Sequence, residues 1–391
     1  MFRVVSREVS ADRPDLYNAY YVEAEGVRLR SGARVSEDNG RTWRTEPMTP
    51  GLRAGLPYGY RRDLLTSLLE PHTGRLVGAV GALDVAGLDP RVSEPSVRIK
   101  EAYLRYAVST DGAKTWRVEE PMVQSGSFTQ RHPFPGIWLG TNSLFQGDIG
   151  CVPISTRSGK ILVPCQFTPV GEDGRTRNPL RTYTYHQPLV LIGTWSADAH
   201  LSWKASQNVP DDPKRSSRGY FEPTLAEFPD GRILMVMRGS NADKADPEFK
   251  RPSYKWFVVS RDGGETWSQV EPWTYEDGQS FYSPSSMSRL FRLSNGRVFW
   301  VGNLISKNAQ GNSPRWPMVV GEVSPQTLKL NRASVLLVDT QLEQDKNQGR
   351  LDICHFSVLE DRQTKGIVLV YPRAHNEYKW REYATVRLTV R

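Results

Sequence analysis

The clearest signal along the chain is a short apolar run, a turn centred on glycine, and a second apolar run. It occurs at Leu64-Leu-Thr-Ser-Leu-Leu before Gly74 and Leu76-Val-Gly-Ala-Val after it, and again from Cys151 through Gly159 to Val163. Further copies run from Thr224 through Gly231 to Met237, from Ser288 through Gly296 to Trp300, and from Phe356 through Gly366 to Tyr371. The runs are too short for amphipathic helices and are bounded by turn residues, so each reads as an antiparallel hairpin. The segment before Trp43 supplies strands of one more unit. The C-terminal run Tyr383-Ala-Thr-Val-Arg-Leu-Thr-Val is expected to complete it.

Between these hairpins a second pattern recurs, Ser-x-Asp-x-Gly-x-Thr-Trp. It is complete from Ser36 to Trp43 and from Ser260 to Trp267. A near copy runs from Ser109 to Trp116, and a worn one from Ser196 to Trp203. The starts lie further apart than the roughly 40–50 residues of a bare propeller blade, which leaves room for long loops. Within the motif the aspartate can accept backbone N–H bonds across a tight turn, and the glycine can take a positive φ. The Trp indole then packs beneath the turn. Asp38, Asp111, Asp198 and Asp262 are therefore read as folding residues.

These turns resemble the Asp boxes of the sialidase superfamily. That resemblance implies an all-β fold: one six-bladed β-propeller of four-stranded antiparallel blades, spanning residues 1–391 as a single domain. It also implies a ligand on the ring axis, at the mouth where the innermost strands begin. The residues just before those strands are then the site candidates: Arg61, Arg62 and Asp63; Gln146 and Asp148; Glu222; Tyr282; and His355. Phe221-Glu222-Pro223, followed by a strand that ends at Arg238, is similar to the sialidase segment whose glutamate polarises a tyrosine nucleophile. The arginine of that segment is one of three that grip the substrate carboxylate. Arg315 looks like the arginine of the fifth blade, and Arg62-Asp63 resembles the Arg-and-Asp segment of the second. Guanidinium–carboxylate pairing is bidentate, which is why arginine is used there.

The match breaks at the nucleophile. The last blade opens with Asp352-Ile-Cys354-His355-Phe356, so His355 stands where the tyrosine belongs. The acid/base aspartate and the third arginine have no clear counterpart. The expected catalytic set is then Glu222 with Asp63 or Asp148 as partner, His355 as a proton shuttle near neutral pKa, and Tyr282 as a substitute nucleophile. Arg62, Arg238, Arg315 and Gln146 are the expected substrate contacts.

Composition narrows the functional classes. The formal charge of +8 comes without a lysine-rich block, which argues against nucleic acid. No apolar run reaches membrane-spanning length, and the opening Met1-Phe-Arg-Val-Val-Ser-Arg-Glu lacks a signal-type stretch. A cytoplasmic location is expected, or a periplasmic or secreted one if a signal was removed. Cys151, Cys165 and Cys354 sit in apolar runs without metal-ligand spacing and read as buried thiols. His132 and His186 are isolated, so no metal and no cofactor is expected. The insertions 84–100, 125–141 and 171–187 are rich in Gly, Pro, Arg or Tyr and are placed to shape specificity. The expected partner is a glycan or small sugar, and the expected function an exo-acting glycoside hydrolase removing a terminal acidic sugar. A neutral-sugar hydrolase, a polysaccharide lyase and a non-catalytic sugar-binding propeller are the alternatives, because fold does not fix function.

Overall fold

The computed structural model describes residues 2–47, 52, 54–92 and 94–390. Among them the strands form six small antiparallel sheets, arranged as the six blades of a propeller. Blade 1 is Tyr20–Tyr21, Leu29–Ser31, Arg34–Ser36 and Arg44–Thr45. Blade 2 is Tyr60–Leu69, Leu76–Asp84, Tyr103–Ser109 and Val118–Pro121. Blade 3 has a split innermost strand, Leu144–Phe145 and Ile154–Ser155, followed by Ile161–Phe167, Gln187–Trp195 and Leu201–Ala205. Blade 4 is Phe221–Glu227, Ile233–Arg238, Lys255–Ser260 and Glu271–Pro272, and blade 5 is Arg289–Arg292, Val298–Asn303, Met318–Val323 and Leu336–Asp339. Blade 6 again has a split innermost strand, Leu351–Ile353 and Ser357–Asp361, then Gly366–His375, Trp380–Val390 and the N-terminal strand Phe2–Ser10.

The ring closes differently from the sequence expectation. The C-terminal strand does not complete blade 1. It pairs with Gly366–His375 inside blade 6, and the N-terminal strand pairs on its outer edge, from Phe2 opposite Val390 to Ser10 opposite Tyr383. An outermost strand faces solvent along most of its length, so Phe2–Ser10 carries little apolar pattern to identify it.

The apolar faces of neighbouring blades meet in successive cores around the ring. Val77, Tyr106, Val163 and Leu191 join blades 2 and 3, and Leu162, Leu225, Ile233 and Met235 join blades 3 and 4. Trp273, Trp300 and Val236 join blades 4 and 5, and Phe299, Val320, Leu369 and Val386 join blades 5 and 6. Blade 1 is held by smaller cores, Leu16 and Leu29 against Val368 and Val370 on one side and Val22 against Leu76 and Ala113 on the other. Its strands of two or three residues bury the least apolar surface, and burial is what secures a blade.

All four Asp-box segments join the third and fourth strands of their blades, on equivalent outer turns. In three of them the chemistry is the same. Asp38 Oδ1 accepts from the Arg41 and Thr42 amides at 3.0 and 2.8 Å, its Oδ2 from the Thr42 hydroxyl at 2.6 Å, and Ser36 Oγ closes the turn onto the Gly40 amide at 2.8 Å. Asp111 and Asp262 repeat these bonds with Thr115 and Thr266. The worn copy does not. Asp198 itself takes φ +63°, and Ser196 closes a shorter turn through its amide and hydroxyl on the His200 carbonyl, at 2.9 and 3.0 Å. With Ala199 and His200 where Asn39 and Gly40 stand in the first box, the left-handed pair of residues shifts one position and the aspartate no longer spans the turn.

Candidate active site

Interruptions of the innermost strands build the site. In blade 3 the strand breaks after Phe145 and resumes at Ile154, which frees Asp148. In blade 4 the register slips between Phe221 and Thr224, so that Glu222 bulges out at φ +48°. In blade 6 the strand breaks after Ile353, and His355 takes φ +57°. A non-glycine residue at positive φ costs of order 1–3 kcal/mol and persists only where its surroundings impose it. Here the same conformation turns two side chains toward the axis.

They meet in a cavity of about 510 Å³, lined by Asp148, Glu222, Arg238, Arg315 and His355, together with Arg98, Arg218 and Asn312. His355 Nε2 lies 3.2 Å from Asp148 Oδ2, and its Nδ1 lies 2.5 Å from the Tyr378 hydroxyl and 3.2 Å from Cys354 Sγ. Burial favours neutral imidazole, yet the neighbouring Cys354 sulfur and the Asp148 carboxylate hold His355 well above its ordinary pKa. Burial likewise opposes ionisation of Asp148, and His355 more than reverses that, so the carboxyl stays below its usual range. The pair is an aspartate–imidazolium couple.

On the opposite wall Arg238 Nη1 donates to Glu222 Oε1 at 2.6 Å, Nε to Ser285 Oγ at 3.0 Å and Nη2 to Asn312 Oδ1 at 3.3 Å. Its guanidinium lies over the Phe221 ring at 4.7 Å. Glu222 keeps one oxygen, Oε2, buried and without a hydrogen-bond partner. Its amide donates to Gln166 Oε1 at 2.7 Å, which fixes the bulge. Gly147 is required beside it, because a Cβ there would stand 2.6 Å from Glu222 Cγ and 2.4 Å from Gln166 Oε1.

Arginine crowding gives the cavity its charge. Arg315 reaches Asp352 at 3.5 Å and the Ser285 carbonyl at 3.3 Å, and its Nε has no acceptor. Arg218 donates to the Thr184 hydroxyl, and its Nε also lacks an acceptor. Burial, and then the charge of Arg238, pull Arg218 down to about 10. Beneath the floor Lys255, donating to the Ser286 carbonyl, is drawn down to about 7 by burial and by Arg238. Cations this close, only partly matched by Asp148, Glu222, Glu94 and Asp352, favour an anion in the cavity.

Five sequence-derived candidates lie outside this wall. Arg62 is claimed by Asp84, at 2.5 Å, and Glu119, at 3.9 Å, on the neighbouring strands of blade 2, and it lies over the Tyr103 ring. Asp63 sits next to it on the same strand, opposite Gly81, and does not line the cavity. Tyr282 stacks on Tyr254 at 5.9 Å and 8°, and its carbonyl accepts from the Ile305 amide. Gln146 is buried, with its amide group bonded to Thr66 Oγ1 and the Cys151 carbonyl, so it shapes the loop that carries Asp148. Arg61 is likewise turned away, to the Asp89 carbonyl at 2.8 Å.

Arg98, Arg218 and Tyr378 were not singled out from the sequence. Arg98 falls in the insertion 84–100, marked there for specificity, and Tyr183 and Thr184 on the same wall fall in 171–187. The third insertion, 125–141, contributes nothing to the lining. Arg218 precedes Glu222 by four residues, one step further upstream than the strand-start rule reaches. Tyr378 closes the turn Asn376–Glu377–Tyr378, three successive non-glycine residues at positive φ, and nothing local in the sequence announces that conformation.

A six-bladed propeller with Asp-box turns and an arginine-lined axial cavity defines the class. The chain belongs to the BNR repeat-like domain family, whose model matches residues 91–378. Among solved structures it is similar to a protein of unknown function from Dyadobacter fermentans, at 16% identity and TM-score 0.59, over 100% of this chain and 99% of that one. It is also similar to the NanB sialidase of Streptococcus pneumoniae, at 13% identity and TM-score 0.58, over 100% and 70% of the two chains. An intramolecular trans-sialidase from Ruminococcus gnavus matches at 13% identity and TM-score 0.53, over 100% and 94%. No curated protein matches the chain. The fold is that of the sialidases.

Proposed function

We propose that the protein is an exo-acting glycoside hydrolase that removes a terminal acidic sugar from a glycan. The observation that carries this reading is the convergence of Arg98, Arg218, Arg238 and Arg315 on one cavity, with Nε of Arg218 and of Arg315 left without protein acceptors. These arginines suit a sugar carboxylate, which a planar guanidinium binds through two parallel bonds.

The remaining groups divide the chemistry. Water attacks the anomeric carbon and gives its proton to the Glu222 carboxylate. The carbon–oxygen bond to the leaving group breaks, and the proton shared between His355 Nε2 and Asp148 goes to the departing oxygen. This route needs no tyrosine nucleophile and replaces the usual pair of carboxylates by one carboxylate and one imidazolium.

The 2.5 Å contact between His355 and Tyr378 favours one second reading, a lyase acting on a uronate. There the Tyr–His pair would remove the proton beside a carboxylate held by the arginines. Reaction in ¹⁸O-labelled water separates the two. Hydrolysis of an acidic glycan puts one labelled oxygen into the product and creates no double bond. Elimination creates an unsaturated sugar without label. Absence of both products and of acidic-sugar binding across a glycan panel would overturn the reading.

A further inference from the structure

The ring axis below the site carries a second feature. Two connected spaces of about 340 and 540 Å³ lie between the innermost strands and share Ser67, Val152, Arg289 and Val358 as lining residues. Arg289 opens the innermost strand of blade 5, and Ser67 lies on that of blade 2. Among the described residues the Arg289 side chain has no ion pair and no hydrogen bond, and its Nε is fully buried. The Ser67 hydroxyl is also buried and without a partner. The carboxylates at the outer mouth are engaged elsewhere: Glu227 accepts from the Arg157 amide at 2.8 Å, and Glu360 from the Ser294 amide and hydroxyl.

Arg289 is half-buried, with its Nε fully covered and the rest of the guanidinium open to these spaces, and a guanidinium drawn out of bulk water without a counter-charge is costly. Burial is the one influence acting on Arg289, and it pulls the group down to about 10, so it stays charged at neutral pH. Elsewhere in the same ring, deeply buried arginines are matched: Arg373 by Asp339 at 2.6 Å and by Asp345, and Arg30 by Glu46. Arg289, like Arg218 in the substrate cavity, has no carboxylate bonded to it, and it faces a space large enough for a guest.

We propose that the axial channel is an anion site, in which a small inorganic anion is held by the Arg289 guanidinium and the Ser67 hydroxyl and ties blade 5 to blade 2 across the axis. Such an anion would act as a structural ligand, separate from the substrate cavity. It would stabilise the ring by mass action.

The test is thermal unfolding of the full chain at fixed ionic strength, titrating chloride, sulfate or phosphate. The wild-type midpoint should rise with anion concentration and saturate, and the anion with the lowest half-saturation identifies the occupant. General salt effects are not saturable and persist in variants. Arg289→Met should therefore retain only the unsaturable part, and Ser67→Ala should need several-fold more anion for half-saturation. A wild-type crystal soaked in bromide should show an anomalous peak beside Arg289, which decides the matter even if Arg289→Met does not fold. Equal anion dependence in wild type and Arg289→Met, or no bromide at Arg289, would overturn the proposal.

Discussion

Asp148 and Glu222 are both carboxylates lining one cavity, yet their partners assign them opposite work. Glu222 is tied to Arg238 through one oxygen and bare at the other, whereas Asp148 faces an imidazole. Asp148→Asn removes the charge that helps keep His355 protonated, so the pKa of His355 should fall. If the protonated form is the acid, kcat/KM declines as pH rises through that pKa. The alkaline limb should therefore lie well above the usual histidine range in the wild type and move to lower pH in Asp148→Asn. A limb that stays in place would remove His355 from proton donation. The same raised pKa adds stability below about pH 6.5, and that stability is lost as pH rises through the folded-state value. The arginines act on binding. Arg315→Ala and Arg218→Ala should each weaken an acidic sugar by about 2–5 kcal/mol, roughly thirty-fold or more, and leave a neutral sugar of the same shape nearly unaffected. Arg238→Ala should also depress turnover, since it strands Glu222 without its cation. Calorimetric titration with matched acidic and neutral sugars checks this, and equal losses for both would point to a neutral-sugar site.

Along single elements, the Asp boxes show which parts of a motif carry its energy. Asp262 accepts from two backbone amides and two hydroxyls, and those bonds lower its carboxyl to about 2 although burial acts the other way. Asp262→Ala should cost about 2 kcal/mol of stability by the worth of its hydrogen bonds, measured by denaturant unfolding at pH 7. That contribution is present above about pH 3.8 and is lost as pH falls toward 2. Asp198→Ala, in the worn turn, should change stability by less than about 0.5 kcal/mol. Equal costs would mean that the turn matters and its hydrogen bonds do not. The motif was legible because it is local, five residues bonding to one another. The site was half legible for the same reason. Glu222, Asp148 and His355 follow from the rule that polar residues at innermost-strand starts face the axis, and Arg238 and Arg315 from the resemblance to the sialidase arginine segments. Arg62 and Tyr282 obey the same rule in sequence, but Asp84 and Tyr254 capture them, and those partners lie on other strands or distant loops. Long-range competition for a side chain leaves no local trace.

Over the whole molecule, six blades could be read from five hairpins and the spacing of the boxes, while the closure of the ring could not. Both chain ends carry strand-like runs, and only the three-dimensional fit decides which end lies outermost. The N-terminal strand pairs with Trp380–Val390 over most of its length, sets Phe2 edge-on against Phe299 at 5.3 Å and brings Arg7 to the buried Asp339 at 2.8 Å. Its own side chains are mostly exposed, so its contribution lies in covering an edge rather than in filling a core. Removing residues 1–11 would leave Trp380–Val390 as a long unpaired edge, the feature that invites pairing with another chain. The truncated protein should unfold at a lower temperature and self-associate with rising concentration in size-exclusion chromatography. A synthetic peptide of residues 2–10 should reverse the self-association by adding the missing strand in trans. Asp339 would keep its bond to Arg373 at 2.6 Å, so the core of blade 6 should survive and the defect should be confined to the edge. A truncated chain that stays monomeric, with an unchanged midpoint and no response to the peptide, would show that the ring holds its shape through the cores between blades alone.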